Sequence, residues 1–513
     1  SVTCLGQSAL TSPHSGLSQM EMTRFTSPAV PASSIITAVQ QQDYSASVWL
    51  RRKEKLEHSQ QKCIVIFALV CCFAVLMALI FSAVDIWGED EETEEECSSN
   101  CSIVLVENIP ADMWFSDDSA FHLPLSTGLN SLLDKARVDV EIVSPVWLLN
   151  SIGLFQGRAL LSRLQGLKDK GIQLKISTGD FDSAELKTLA DNHDAEVHEV
   201  NMTALTKGFL KSSFWVVDRK HFYIGSASMD WRSLTTVMKE LGVVVYDCKP
   251  LALDLHKIFS LYWGLQHKTF IPTFWSKRLF PFFSKEKPGS LLVNQTKVET
   301  YISSSPHVFI TKDRSSDLEA ISAVIQQARH FIYISTIDYL PLLLDMQRYW
   351  SRIDGLLREA LILRKVHIRL LISCWEETHP LTFNFIWSLK SLCMEQANCS
   401  LEAVSKFFKV QRDNDLSGMN HNRFMVTDRA VYIGNLDWVG KEFNYNAGAG
   451  LVISHPENVA ERNSTVVEQL QAVFKRDWFS RYANTIQTNK IPVCSKQQIN
   501  KSDNNVALPR QCF

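Results

Sequence analysis

The sequence predicts an α/β protein: two duplicated α/β sandwich lobes that meet at a pseudo-two-fold cleft, preceded by one transmembrane helix. Three observations predict it. A run of 22 residues carries no charge, four segments recur in the same order about 190 to 210 residues apart, and each copy alternates β-branched runs with helical patterns. At 513 residues the chain is long enough for a large core. Its 46% hydrophobic and 21% charged content is ordinary for a globular protein. The net charge of -3 excludes recognition of a polyanion by bulk charge and leaves only a local cationic groove.

The chain begins with Ser1 and not Met, which points to a short missing N-terminal piece. Residues 1–62 read as a cytosolic tail, disordered over the Ser, Thr, Pro and Gln-rich stretch 1–48. The uncharged run Cys63–Val84 follows. As a helix it measures roughly 33 Å, enough for a bilayer core. A buried globular helix keeps a polar face, which this run lacks. A cleaved signal peptide is shorter and stands first. Arg51, Arg52, Lys53, Lys55 and Lys62 precede the run, whereas no Lys or Arg follows it until Lys135. The positive-inside rule therefore places the N-terminus in the cytosol and the rest in a lumen or outside the cell. Residues 85–102 form a stalk in which "EDEETEEE", Glu89–Glu96, repels itself and stays solvated. A flexible acidic run of this kind is a poor metal site.

Six Asn-x-Ser/Thr triplets, at Asn100, Asn201, Asn294, Asn398, Asn463 and Asn500, all lie beyond the span and are glycosylation candidates there. So do eight of the twelve cysteines: Cys97, Cys101, Cys248, Cys374, Cys393, Cys399, Cys494 and Cys512. An even number in an oxidising compartment predicts disulfides without assigning them, although Cys393 and Cys399 are spaced to close a small loop. Cys63, Cys71 and Cys72 read as filling of the membrane helix, with palmitoylation of Cys63 a weaker reading.

The repeat defines the lobes. "ARVDVEIVS" (136–144) matches "ARHFIYIS" (328–335), "GIQLKIS" (171–177) matches "HIRLLIS" (367–373), and "VHEV" (197–200) parallels "LEAV" (401–404). The longest match sets "FWVVDRKHFYIGSASMDW" (214–231) beside "FMVTDRAVYIGNLDW" (424–438). Lobe 1 is expected over 103–290 with its motif at 206–233, lobe 2 over 291–486 with its motif at 416–442, and a C-terminal tail over 487–513. Helical patterns such as "ALLSRLQGLKDK" and "DLEAISAVIQQAR" between the apolar runs make each lobe an α/β sandwich.

The two motifs resemble those of the phospholipase D superfamily, H-x-K-x4-D followed by G-(S/T)-x-N, once per lobe. Within it the chain is similar to the single-pass, type II transmembrane branch, and there to a catalytically inactive member. The resemblance covers the membrane span and nearly all of the remainder. It implies a site on the pseudo-two-fold axis where one histidine attacks phosphorus and the other protonates the leaving oxygen. Two lysines and Ser/Thr or Asn donors neutralise the phosphate oxygens. That chemistry needs no metal and no cofactor.

Position by position, the first motif has Lys211, Ser213 and Asp218 where the family has His, Lys and Asp. Ser226 remains after Gly225, Ser228 stands at the Asn position, and Glu240 holds the place of the carboxylate that orients the missing imidazole. The second motif keeps His421 and Asp428 and has Arg423 for Lys. Asn435 follows Gly434, Asp437 takes the Asn position, and Tyr445 stands where a related enzyme keeps the orienting acid. Arg retains the charge of Lys but presents a planar fork, and Asp437 would repel a phosphate. Lys211 acts as a nucleophile only if desolvation or other cations keep it neutral. General acid-base help is worth about 10² to 10⁴ in rate, and members of a catalytic unit fail together.

His421 reads equally as a surviving phosphate ligand and as a satisfied core polar group. Asp218 and Asp428 are expected to support the lobe interface, Trp231 and Trp438 to anchor packing, and Arg219 and Lys220 to lie in a solvated turn. His221 is not expected to replace the lost histidine. The expectation is therefore a glycosylated, disulfide-bonded pseudoenzyme in the endomembrane system or at the cell surface that acts by binding or assembly. The alternative is a weak residual phosphodiesterase on nucleic-acid ends or phospholipid. The resemblance admits a homodimer, and leaves any protein partner, nucleic-acid or phospholipid ligand unnamed.

Overall fold

A computed structural model describes residues 64–78, 492 and 494, and 100–486 apart from 112, 117–120, 151–154, 181, 236, 344–347, 393–402, 409–418 and 456–464. The chain divides into two units, Ser1–Trp87 and Gly88–Phe513. In the first, residues 64–78 are helical, with Ile64, Phe67, Leu69 and Phe73 exposed. Among the described residues no helix is long and apolar enough to cross a membrane. Cys63 and residues 79–84 of the expected span lie outside them, as do the expected tail 1–62, most of the stalk and nearly all of the C-terminal tail.

The second unit is a mixed α/β fold built on one large sheet. Its first set of strands is β1 (Asn100–Asn108), β2 (Asp139–Ser144), β3 (Gln173–Thr178), β4 (Glu196–Glu199), β5 (Phe214–Val217), β6 (His221–Gly225) and β7 (Glu240–Tyr246). Strands β2, β3 and β4 pair in parallel. β2 also pairs antiparallel with β5, then β5 with β6, β6 with β7, and β7 with β1. The parallel steps require crossovers, which α2 (Phe155–Gln165) and α3 (Ala184–Asp191) supply after α1 (Leu125–Lys135). Strands β2, β5 and β6 are buried along their whole length; β5 is apolar throughout, whereas β2 buries Asp139, Glu141 and Ser144 as well.

After α4 (Lys249–Trp263), the hairpin β8 (Gly289–Val293) and β9 (Thr296–Ser305) leads into a second set: β10 (Phe331–Thr336), β11 (His367–Ser373), β12 (Ala403–Phe408), β13 (Phe424–Thr427), β14 (Ala430–Gly434), β15 (Gly448–Ser454) and β16 (Ala483–Thr485). Here β10, β11 and β12 are parallel, and β10 continues antiparallel through β13, β14 and β15 to β9. The pairing order repeats that of the first set. Helices α5 (Asp317–Gln327), α6 (Arg352–Leu363), α7 (Leu381–Ser391) and α8 (Val466–Phe479) accompany it. Ser316 with Glu319, and Thr465 with Glu468, form capping boxes that define where α5 and α8 begin.

Two short parallel pairings, Asn100 with Leu292 and Cys101 with Val293, connect the strand sets. Beside them the disulfide Cys101–Cys248 ties the start of β1 to the start of α4, and Cys374–Cys494 ties the end of β11 to the chain beyond β16. Cys71 and Cys72 are free, whereas Cys97, Cys393, Cys399 and Cys512 lie outside the described residues. Of the sequons, Asn201 and Asn294 are exposed. Asn398, Asn463 and Asn500 lie outside the described residues, and Asn100 starts β1.

The expectation for Asp218 and Asp428 needs correction, because neither lies at an interface between the strand sets. Asp218 accepts the N–H groups of Arg137, Val138 and Asp139, at 2.8 to 3.0 Å. Asp428 accepts those of Arg329, His330 and Phe331. Each carboxylate satisfies the backbone donors of the turn that enters its own β2 or β10, donors that would be costly to leave unpaired. Asp218 and Arg219 both have positive φ, 50° and 51°, which makes the β5–β6 connection a tight hairpin turn with Arg219 and Lys220 in solvent.

Cys101 and Cys248 are 147 residues apart, so their bond removes much of the loop entropy of the unfolded chain. Replacing both by Ser is expected to cost about 2–5 kcal/mol, read as a lowered urea midpoint.

Candidate functional site

The two motifs are brought together by an exchange of backbone contacts. Leu210 bridges to Ala447, and Lys239 bridges to Asn420. Lys211 N–H donates to the Ala447 carbonyl and His421 N–H to the Lys239 carbonyl, both at 2.8 Å. Each motif thus opens against the residue that precedes the β7 or β15 strand of the other set. Gly208 makes the approach possible: a Cβ there would stand 2.0 Å from the Tyr445 carbonyl oxygen. The Thr206 hydroxyl donates to that oxygen, and Asn446 Oδ1 accepts the Phe209 N–H.

His421 is the intact part of the site. Its Nδ1 lies 3.3 Å from Glu240 Oε1, and the Glu240 side chain is buried. Burial alone would raise the Glu240 carboxyl, but His421 and the Ser226 and Ser233 hydroxyls more than offset it and hold it below the usual range. Glu240 therefore orients the surviving imidazole of the second motif, where the sequence had assigned it to the missing one of the first.

Two residues on, Arg423 is paired within the chain. Arg423 Nε and Nη2 donate to the two carboxylate oxygens of Asp437 at 3.0 and 3.1 Å, a fork-to-carboxylate pair of the kind an arginine makes with phosphate. Burial opposes the Asp437 charge, yet Arg423 outweighs it and holds that carboxyl low. Lys211 and His421 act on the same carboxylate, so the leading residues of both motifs face Asp437. Ser213, at the first motif's clamp position, is buried and its hydroxyl donates to the Ala227 carbonyl.

Two acids that sequence reasoning missed act on Asp437 or are acted on by it. Burial raises the Glu442 carboxyl, and Asp437 adds to that while Lys211 opposes it. Burial, with Asp437 acting in the same direction, raises Asp338 to about 8. Trp375 Nε1 donates to Asp338 Oδ2 at 3.2 Å. Asp338 lies outside both motifs, and Glu442 is the last residue of the second, at a place the family signature does not mark. Among the described residues no group of three or more His, Cys, Asp or Glu is placed to hold a metal ion.

The remaining predicted residues are structural or peripheral. Asn435 Nδ2 donates to the Gly225 carbonyl at 2.6 Å and its Oδ1 accepts the Ala449 N–H, which staples the first motif to β15. The Ser228 carbonyl accepts the Asp230 N–H. Tyr445 contributes its carbonyl to the Thr206 contact. By strand register Gly242 faces Gly225 as Gly450 faces Gly434, so the counterpart of Glu240 is Gly448, which has no side chain. His221 is engaged by the Asp247 N–H at 3.0 Å. Trp438 is buried, as expected of a packing anchor, and Trp231 is half-buried.

Behind the cleft lies a buried charge cluster. Lys239 Nζ donates to Asp477 Oδ2 at 2.7 Å, and Arg476 donates to both Glu107 oxygens at 2.8 and 2.9 Å and to Asp477 at 3.1 Å. All four side chains are almost fully buried. The cluster holds the peptide Lys239–Glu240, and with it the orienting carboxylate, against the His421 segment.

A sequence profile for the PLD3/4, PLD-like domain matches residues 116–413. The chain is 50% identical over 508 residues to "Inactive phospholipase D5" of Mus musculus, covering 94% of this chain and 93% of the relative. It is 49% identical to the Homo sapiens protein of the same name, with the same coverage. "5'-3' exonuclease PLD3" of Xenopus laevis is 37% identical, covering 83% of this chain and 90% of the relative.

Two outcomes are expected. Asp437→Asn removes the internal anion while keeping an acceptor for Arg423, so the variant should bind inorganic phosphate at least about tenfold more tightly than the natural chain by calorimetry. Asp338 holds a proton in the folded chain that it gives up on unfolding, because its carboxyl is raised from 3.8 to about 8. The associated stability is full below about pH 4 and is lost as pH rises through about 8. Thermal unfolding should therefore show Asp338→Asn gaining on the natural chain as pH increases from 4 to 9.

Proposed function

Because this chain belongs to the phospholipase D-like family that carries the PLD3/4-type domain, we propose that it is a catalytically inactive member of that family, a pseudoenzyme acting by binding or assembly. One observation carries the reading: the place of a substrate phosphate on Arg423 is taken by Asp437, opposite a lysine and not a second histidine. Scission at phosphorus needs one group to attack and another to protonate the leaving oxygen. His421 with Glu240 supplies one such group, and Lys211 stands where the second histidine would be.

The repeated pairing order, the matched Asp218 and Asp428 turns and the reciprocal contacts at Lys211 and His421 support two duplicated α/β lobes about a pseudo-two-fold cleft. The uncharged run 63–84 supports a single-pass tether with a cytosolic N-terminus. Two disulfides and the exposed sequons Asn201 and Asn294 favour an oxidising, glycosylating compartment for the globular part, in the endomembrane system or at the cell surface. The lobes are free to associate as a homodimer, and the surface that recognises a partner is the functional one on this reading.

The intact His421–Glu240 pair favours a second reading, weak residual phosphodiesterase activity on nucleic-acid ends or phospholipid. Purified protein assayed on both substrate classes at acidic and neutral pH, beside His421→Ala, separates the two. The expected result is no product above the His421→Ala control and no covalent phosphoryl adduct. Turnover that vanishes with the control would sink the inactive reading. The variant with Lys211→His, Ser213→Lys, Arg423→Lys and Asp437→Asn is expected to recover only part of the family's rate, since Gly448 leaves a histidine at 211 without its carboxylate.

A further inference from the structure

The segment between α4 and β8 turns two phenylalanines outward. Phe274 is 88% exposed and Phe270 68%, both on chain that is neither helix nor strand. The segment is nevertheless anchored. Ile271, Trp275, Leu279 and Phe283 pack against the core, and Trp275 meets Phe309 edge-on at 6.4 Å. The Asp254 carboxylate accepts the Phe282 and Phe283 N–H groups at 2.7 and 3.0 Å, and Thr311 donates to the Leu279 carbonyl. Inward side chains thus hold a backbone that keeps Phe270 and Phe274 in water, where apolar surface is unfavourable unless something covers it.

Charge identifies what covers it. From Gly264 to Ser284 the sequence has no Asp or Glu and contains His267, Lys268, Lys277 and Arg278, while Lys285 is paired with Glu286. Lys277 and Arg278 are exposed beside Phe274. Aromatic side chains flanked by cations on a fixed loop suit the headgroup boundary of a bilayer whose lipids are anionic: the rings enter the acyl edge and the cations meet the phosphates. We propose that the 264–285 loop is a membrane-docking surface for anionic phospholipid. This goes beyond the pseudoenzyme reading and does not depend on the 63–84 tether.

The test is full-length protein reconstituted into vesicles of phosphatidylcholine with phosphatidylserine, carrying a trace of photoactivatable phospholipid, with crosslinked peptides mapped by mass spectrometry. The expected result is lipid crosslinked to the peptide spanning 266–280. Yield there should fall about tenfold in Phe270→Ser/Phe274→Ser. It should fall about fivefold for each of Lys268→Glu and Lys277→Glu, and on omitting phosphatidylserine. These side chains are outside the core, so an unchanged melting temperature confirms folding of each variant. Crosslinks confined to the 63–84 peptide would overturn the docking surface while supporting the tether, and loop crosslinks without them would do the reverse. A protein–protein crosslink through 266–280 would overturn it too, by assigning the patch to a second copy of the chain.

Discussion

The arrangement of the cleft depends on four buried charges. Glu107 on β1, Lys239 at the entry to β7, and Arg476 with Asp477 on α8 form a neutral set almost wholly shielded from solvent. Burial lowers the Lys239 ammonium, and Asp477 and Glu107 work against that. Burial would raise Glu107, yet Arg476 more than offsets it. Removing one partner from such a set leaves an uncompensated charge in the interior, which typically costs 3–5 kcal/mol. Its value here is positional. It clamps the first strand set to the last helix, and through the Lys239 carbonyl it holds the His421 backbone where Glu240 meets the imidazole.

On this frame the site has lost reactivity and kept its architecture. The histidine and its carboxylate survive on one side of the cleft, and the buried Asn435 still staples the first motif to β15. In the same motif, Arg423 is satisfied within the chain. Asp437 gives Arg423 a two-oxygen acceptor of the kind a phosphate also presents, so the guanidinium is satisfied within the chain. The acids Asp338 and Glu442 lie near this pair, their carboxyls raised first by burial and further by Asp437. An incoming phosphate would have to displace a buried ion pair and then meet those acids.

The two strand sets agree in pairing and differ in side chains where it matters. Asp218 and Asp428 perform the same local task, bonding three backbone donors at the entry to β2 and β10. Glu240 and Gly448 occupy the same register and could not be less alike chemically. The motif aspartates that serve the backbone are matched in both sets, whereas the positions where the family keeps its histidines and lysines are not.

By itself the sequence determined the alternation of strands and helices, the order of the two motifs and the identity of every residue substituted in them, because periodicity and composition are local properties of the chain. It located His421, Asp437 and Arg423, and even the repulsion a phosphate would meet. Tertiary structure alone decided which groups meet. Glu240 serves the other motif's histidine, Tyr445 is not the counterpart of Glu240, Asp338 and Glu442 come to stand near Asp437, and Lys239 finds Asp477 across the fold. Those contacts join residues far apart in sequence, and electrostatic partnership depends on distance and burial in space, which no spacing along the chain encodes.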